Sequence, residues 1–253
     1  MPLEITTIPC LADNYAFLAS CSETGVTALV DVPEAAPIQA ELTRQGKTLD
    51  MVLITHHHAD HVMGLDALGF DGQIIGHAKD AARLPKLSTA LNDGDRFMIG
   101  ASEVHVLDVS GHTIGHIAFH SPDSKAVFTA DSLMAMGCGR IFEGTANMMW
   151  ASLTKLAALP ADTVIYSGHE YTEANATFAK TVDPNNPALD ARIADITEKR
   201  AKGIPTVPST LGEELATNPF LRATAPEVKA VIGMPDASDA EAFAEIRARK
   251  DSF

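Results

Sequence analysis

The chain has 253 residues, 46% of them hydrophobic and 21% charged. That size suits one large domain, or one domain with a smaller appendage, around a sizeable core. The net charge of −14 argues against nonspecific nucleic-acid binding, which needs a basic face, but leaves room for a small anionic substrate held by a few local cations.

In chain order, "EITTIPC" (4–10), "YAFLAS" (15–20) and "VTALVDV" (26–32) are short β-prone runs separated by Asp-Asn or Thr-Gly turn residues. A helix is expected after Pro33, over "EAAPIQAELTRQG", with Gly46 at its end. "LDMVLIT" (49–55) is apolar at nearly every position and reads as a buried strand. Further strands are expected at "QIIGH", "DRFMIG", "EVHVLDV", "HIAFHSP", "AVFTAD" and "DTVIYSG", with a helix over "ANMMWASLTKLAAL". After about residue 169 the texture turns helical: "EYTEANATFAKTV", "NPALDARIADITEKRAKG", "PEVKAVIG" and "DASDAEAFAEIRARK", punctuated by Pro and Gly. The expected division is a first domain at 1–170 and a helical one at 171–253.

Three cysteines, Cys10, Cys21 and Cys138, are too few and too odd in number for a disulfide framework. "MPLEITTIPC" lacks the basic and apolar regions of a signal peptide, and no apolar run approaches the ~20 residues of a membrane span. The expectation is a cytoplasmic, monomeric protein with neither membrane nor nucleic-acid partners.

Four of the ten histidines fall in "THHHADH" (55–61), just beyond the buried strand. Loops at strand ends are where functional side chains gather. In an extended segment residues two apart point the same way, so His56 and His58 can share one metal. Asp60 and His61 can turn towards a second position, and His57 points elsewhere. "DVSGHTIGH" and "YSGHEYT" each place a histidine, His112 and His169, straight after a glycine at a strand end, where the missing Cβ permits a tight turn. "VFTADSL" places Asp131 at the end of another strand. Imidazole with carboxylate suits zinc, iron or manganese. Seven such groups are too many for one tetrahedral ion and suit two ions with a bridging carboxylate. His57 and His116 read as structural, and His77, His105 and His120 as ordinary strand or surface histidines. Cys138 reads as a packed thiol and Trp150 as core.

"HHHADH" fits the H-x-H-x-D-H motif of the metallo-β-lactamase superfamily, and His112, Asp131 and His169 fit its remaining ligand positions. The resemblance implies an α+β fold, an αββα sandwich with the metals at one edge between the sheets. It implies His56, His58 and His112 on one ion, Asp60, His61 and His169 on the other, and Asp131 bridging. "IPCLADNYAFL", "SGHTIGH", "FTADSL", "GCGRIFEGT", "SGHEYT", "NPFLR" and the helical C-terminal segment together resemble the hydroxyacylglutathione hydrolase (glyoxalase II) family. That resemblance implies hydrolysis of S-D-lactoylglutathione to glutathione and D-lactate, within methylglyoxal detoxification, by two divalent ions, with zinc preferred and iron or manganese as alternatives. Asp60 would orient the attacking hydroxide and handle its proton. Arg140, Phe142, Tyr171 and Arg222 occupy the family's substrate-binding positions. The chain departs from the pattern at Ala59, at Arg140 and Phe142 where Lys and Tyr are frequent, and after "NPFLR", where no second cation follows. Glutathione is therefore expected to be held more weakly or in a different arrangement. The rival readings are an iron-dependent sulfur (persulfide) dioxygenase, another hydrolase of the superfamily, and a non-enzymatic module with a closed metal site.

Overall fold

Strand β2 (Asn14–Cys21) is buried at every position, as a strand can be only when both faces of its sheet are covered. In the computed structural model, which describes residues 2–253, Tyr15, Phe17, Ala19 and Cys21 lie in one core, and Ala16 and Leu18 in another. This is the two-residue period of a strand. The sheet runs β1 (Leu3–Cys10), β2, β3 (Thr27–Val30), β4 (Met51–Leu53), β5 (Gln73–His77), β6 (Thr89–Leu91). β1 to β3 pair antiparallel, and β3 to β6 pair parallel. The second sheet runs β7 (Arg96–Ile99), β8 (Ser102–Asp108), β9 (Ile117–Ser121), β10 (Ala126–Ala130), β13 (Val164–Ser167), β14 (Ser209–Thr210). A small hairpin, β11 (Leu133–Met134) and β12 (Gly137–Cys138), stands apart from both.

Three of the four cores define the layers. Helices α1 (Ala35–Gln45) and α3 (Leu65–Leu68) cover the first sheet, Ile38 and Leu65 packing with Leu18, Leu29 and Val52. Gly46 closes α1 in the left-handed conformation, φ 62, as its position predicts. A four-residue helix, α2 (Ala59–Val62), sits between them. The two sheets meet through Phe17, Val30 and Leu53 on one side and Val106, Phe119 and Phe128 on the other. Beyond the second sheet lie α4 (Ala146–Ala157), α5 (Thr172–Val182), α6 (Pro187–Ala201), α7 (Leu211–Thr217), α8 (Pro226–Val231) and α9 (Asp239–Ser252). Their Leu153, Phe178 and Phe243, with Phe220 from the segment after α7, share a core with Val127 and Ile165 of that sheet. The result is an αββα sandwich with a helical C-terminal region built onto one outer face.

That region is not wholly helical: β14 extends the second sheet by pairing antiparallel with β13. It also holds the β11–β12 hairpin. Asn218 donates through Nδ2 to the carbonyls of Met134 (3.1 Å) and Gly137 (2.9 Å), and buried Glu214 accepts from the Met136 amide (2.9 Å). Among the described residues no helix is long and apolar enough to cross a membrane.

Candidate metal centre and substrate cavity

Every candidate metal ligand leaves the sheets at one edge. His56 and His58 follow β4, and Asp60 and His61 occupy the first turn of α2. His112 follows β8, Asp131 comes straight after β10, and His169 follows β13. Ala130 adopts a left-handed backbone, φ 41, where the register between β10 and β13 shifts. An irregularity of this kind re-aims the next side chain and is tolerated where function demands it. Here the next side chain is Asp131.

The side chains form two clusters. In the first, His112 Nε2 lies 3.0 Å from His58 Nδ1 and 3.4 Å from Asp131 Oδ2, and His56 Nε2 lies 4.0 Å from the same oxygen. In the second, His61 Nε2 and His169 Nε2 are 3.3 Å apart, and they lie 3.4 and 3.3 Å from Asp131 Oδ1. Asp60 Oδ2 completes this group, 3.9 Å from His61 Nε2 and 3.5 Å from His169 Nε2. Asp131 thus turns one oxygen to each cluster.

The outer nitrogens fix which lone pairs face inward. His112 Nδ1 is 2.7 Å from the Arg140 carbonyl, which can only accept, so Nδ1 carries the proton. The same logic applies to His169 Nδ1 at Asp13 Oδ1 (3.1 Å) and His61 Nδ1 at Asp31 Oδ2 (2.8 Å). Thr55 gives its hydroxyl proton to Asp31 (2.8 Å) and so accepts from His56 Nδ1 (3.0 Å). Each of these imidazoles is left with a bare Nε2, and the bare nitrogens converge. His56 Nε2 and Asp131 Oδ1 are buried with no hydrogen-bond partner among the described residues. Converging lone pairs and an orphaned carboxylate oxygen fit divalent cations, and the orienting partners are those of metal-bound histidines.

Without an ion, protons stand in for it. Against the lowering effect of burial, Asp131 and Asp31 raise His61 well above its ordinary value, and Asp131 raises His169. Against the raising effect of burial, these two imidazoles hold the Asp131 carboxyl well below the ordinary carboxylate range. A divalent cation would replace those protons and leave each Nε2 bare. Burial drives His56 well below its ordinary value, so it stays neutral and ready to ligate. Burial also raises Asp60, but His61 and the Asn14 amide, which donates to its Oδ2 at 3.1 Å, bring it net below the usual value.

Asp31 is a site residue that the sequence reading passed over. It is buried, sits at φ 58 just beyond β3, and ties His56, through Thr55, to His61. Its signal was an acid at the end of the apolar run "VTALVDV", the same cue that marked Asp131. Gly168 has another reason than the turn expected for it. A Cβ there would lie 2.6 Å from Asp131 Oδ1, so the close approach of the bridging carboxylate requires glycine. His116 is buried, stacks on His56 with ring centres 4.6 Å apart, and accepts from the Asp131 amide at 3.3 Å. His77 and His120 are buried rather than surface residues. Cys138 is buried, and burial pushes its thiol up to about 11.

A cavity of about 400 Å³ opens over the clusters, lined by His58, Asp60, His112, Asp131 and His169 and edged by Arg140, Phe142, Tyr171, Arg247 and Lys250. Phe142 packs edge-on against His58 and His112, and Tyr171 stacks on His169. Arg222 is not among the lining residues. It pairs with Asp183 and Glu227, each at 2.6 Å, and borders a separate cavity of about 460 Å³. This corrects its expected place at the substrate. Two further cations reach the cavity from α9, Arg247 and Lys250, which continue the buried stripe of Phe243 and Ile246; Arg247 itself donates to the Cys138 carbonyl (2.9 Å) and to Asp251 (3.0 Å). Cations on an apolar stripe were the available signal.

A model of the metallo-β-lactamase superfamily matches residues 22–169, and one of the hydroxyacylglutathione hydrolase C-terminus matches residues 170–253. A hydroxyacylglutathione hydrolase from Ruegeria pomeroyi is 62% identical, covering 100% of both chains. Among solved structures, ETHE1 from Myxococcus xanthus superposes with a TM-score of 0.68 at 23% identity, covering 98% of this chain and 90% of that one. TTHA1623 in a di-iron-bound form superposes with a TM-score of 0.62 at 25% identity, covering 86% and 100%.

Proposed function

The chain belongs to the hydroxyacylglutathione hydrolase family of the metallo-β-lactamase superfamily, and we propose that it hydrolyses S-D-lactoylglutathione to glutathione and D-lactate, a step of methylglyoxal detoxification. The observation that carries the mechanism is Asp131, one oxygen facing each imidazole cluster on the floor of a cation-edged cavity.

Two divalent ions, zinc by preference among zinc, iron and manganese, would when bound supply a water-derived nucleophile at neutral pH and a Lewis acid for the thioester carbonyl. His56, His58 and His112 would hold one, Asp60, His61 and His169 the other, and Asp131, with one oxygen toward each cluster, would be shared by both. The di-iron form of TTHA1623 supports double occupancy of such a fold. Asp60, steadied by Asn14, orients the attacking water and takes its proton. The departing thiolate needs little acid help. Arg140, Arg247 and Lys250 bind the glutathione carboxylates, which guanidinium and ammonium groups hold by charge-assisted bonds, while Phe142 and Tyr171 flank the acyl end.

All seven ligand residues come from one chain, which supports a monomer as the working unit. The three cysteines are free, which supports placement in the reducing cytoplasm. Residues 1–170 thus hold the metals, and residues 171–253 supply Tyr171, Arg247 and Lys250. The complete second cluster and the family membership favour hydrolysis over the single-iron dioxygenase reading. A panel of glutathione thioesters, with metal content and oxygen uptake measured on the same preparation, tests the assignment. Rapid lactoylglutathione turnover without oxygen uptake is the expected result.

A further inference from the structure

His57 is the histidine of "HHHADH" that belongs to neither cluster. Its ring turns outward. Nδ1 lies 3.1 Å from Asp80 Oδ2 and Nε2 lies 3.3 Å from Arg83 Nη1. Asp80 is fully buried in the short turn after β5. Arg83 donates to it from Nε at 3.0 Å and again from Nη2, and reaches Glu143 with both Nη groups. Glu143 in turn accepts from the Ile114 amide at 2.9 Å. We propose that Arg83, held between Asp80 and Glu143, is a positioning residue: an ion-pair clamp that draws together the two loops carrying the histidines of the first cluster and the 139–144 loop that braces them, and sets how fast that cluster's ion leaves.

Each loop is gripped at a different point. The 56–58 segment is held through His57. The 111–116 segment is held through the Ile114 amide, and Asp80 packs so close over Gly115 that a Cβ there would come 2.0 Å from its carboxyl carbon. The 139–144 segment is held through Glu143. That last segment also supplies the Arg140 carbonyl that orients His112 and the Phe142 ring that covers His58 and His112. A guanidinium fork fixes geometry as well as charge. Removing it leaves a buried carboxylate without its cation, so the turn around Asp80 must shift. The second cluster is held by other groups, Asp13, Asn14 and Asp31, and none of these belongs to the clamp. Loss of the clamp therefore acts on one ion.

The inference rests on the two-ion reading, so the test begins with the unaltered protein. The full chain is loaded with zinc, and release to a chromogenic chelator is followed with time. Unaltered protein should release two ions per chain. Arg83→Met should release one of them roughly 10- to 100-fold faster, the range typical when a group orienting a ligand is lost, with the other unchanged. Glu143→Gln, which keeps an acceptor for Ile114 at a partly exposed position, should speed the same ion by less. Unchanged release from Arg83→Met overturns the clamp. Equal acceleration of both ions with a lowered melting temperature makes Arg83 a support of the fold and also overturns it. Unaltered protein that never binds two ions removes the two-ion reading and the clamp together.

Discussion

Lys250→Met isolates the substrate's carboxylate end from the metal chemistry. Lys250 lines the cavity with its ammonium 5.3 Å from the Phe178 ring centre and 5.2 Å from that of Phe253. Burial and then the neighbouring Arg247 hold its pKa below the ordinary lysine value, so an incoming carboxylate relieves a strained cation. Methionine keeps the stem that covers both rings and removes the charge together with its 3.3 Å bond to the Ala174 carbonyl. A lost charge-assisted bond costs about 1.5–3 kcal/mol, and 1.4 kcal/mol is about tenfold, so KM for lactoylglutathione should rise roughly 10- to 150-fold. The contact lies away from the reacting carbon and is made equally in ground and transition states, so kcat should hold. A small thioester without the glutathione peptide should be hydrolysed alike by both forms. Arg222→Ala is the control. It should leave KM alone and lower the melting temperature by a few degrees, because buried Asp183 loses its partner. If Arg222→Ala raises KM while Lys250→Met does not, the substrate's anionic end has been put on the wrong side of the helical region.

Asp131→Ala removes a ligand from both clusters, so metal content should fall towards zero together with turnover; two retained ions with near-normal rates contradict the bridge. His58→Ala should abolish most activity and release metal, whereas His57→Ala should be much milder, since only His58 faces His112; equal loss from both variants contradicts that geometry. Arg83, then burial acting in the opposite sense, leaves the Glu143 carboxyl depressed to about 2. A folded-state value below the unfolded one, ~4.5, stabilises above that pH and is lost as pH falls from about 4.5 to about 2. Glu143→Gln should therefore flatten the acid limb of the melting-temperature profile while differing little in slope at neutral pH; parallel profiles for the two proteins would rule the ion pair out.

Most elements longer than about five residues were legible, the seven-residue α7 excepted, because a pattern of period 2 or 3.6 needs that many positions to declare itself. β6, α2, α3 and the β11–β12 hairpin are shorter, and tertiary contacts define them. The seven metal-type ligands were legible because His and Asp at strand ends stand out against an apolar background. Asp31 carried the same cue but stood alone, without histidines around it. The substrate cations were the hardest to place. Arg222 sits in a recognisable segment, and only the packing reveals that Asp183 and Glu227 have taken it. Arg247 and Lys250 lie in a helix crowded with charge, "DAEAFAEIRARK". Which of its cations face inward depends on how that helix docks on Trp150 and Phe220.

In the proposed thioester hydrolase two ions share Asp131. The most direct measurement titrates zinc into metal-free protein while following lactoylglutathione hydrolysis in the same samples. Activity should climb to a plateau at two ions per chain, with no oxygen consumed. A plateau at one ion, or oxygen uptake in place of thioester cleavage, would contradict it.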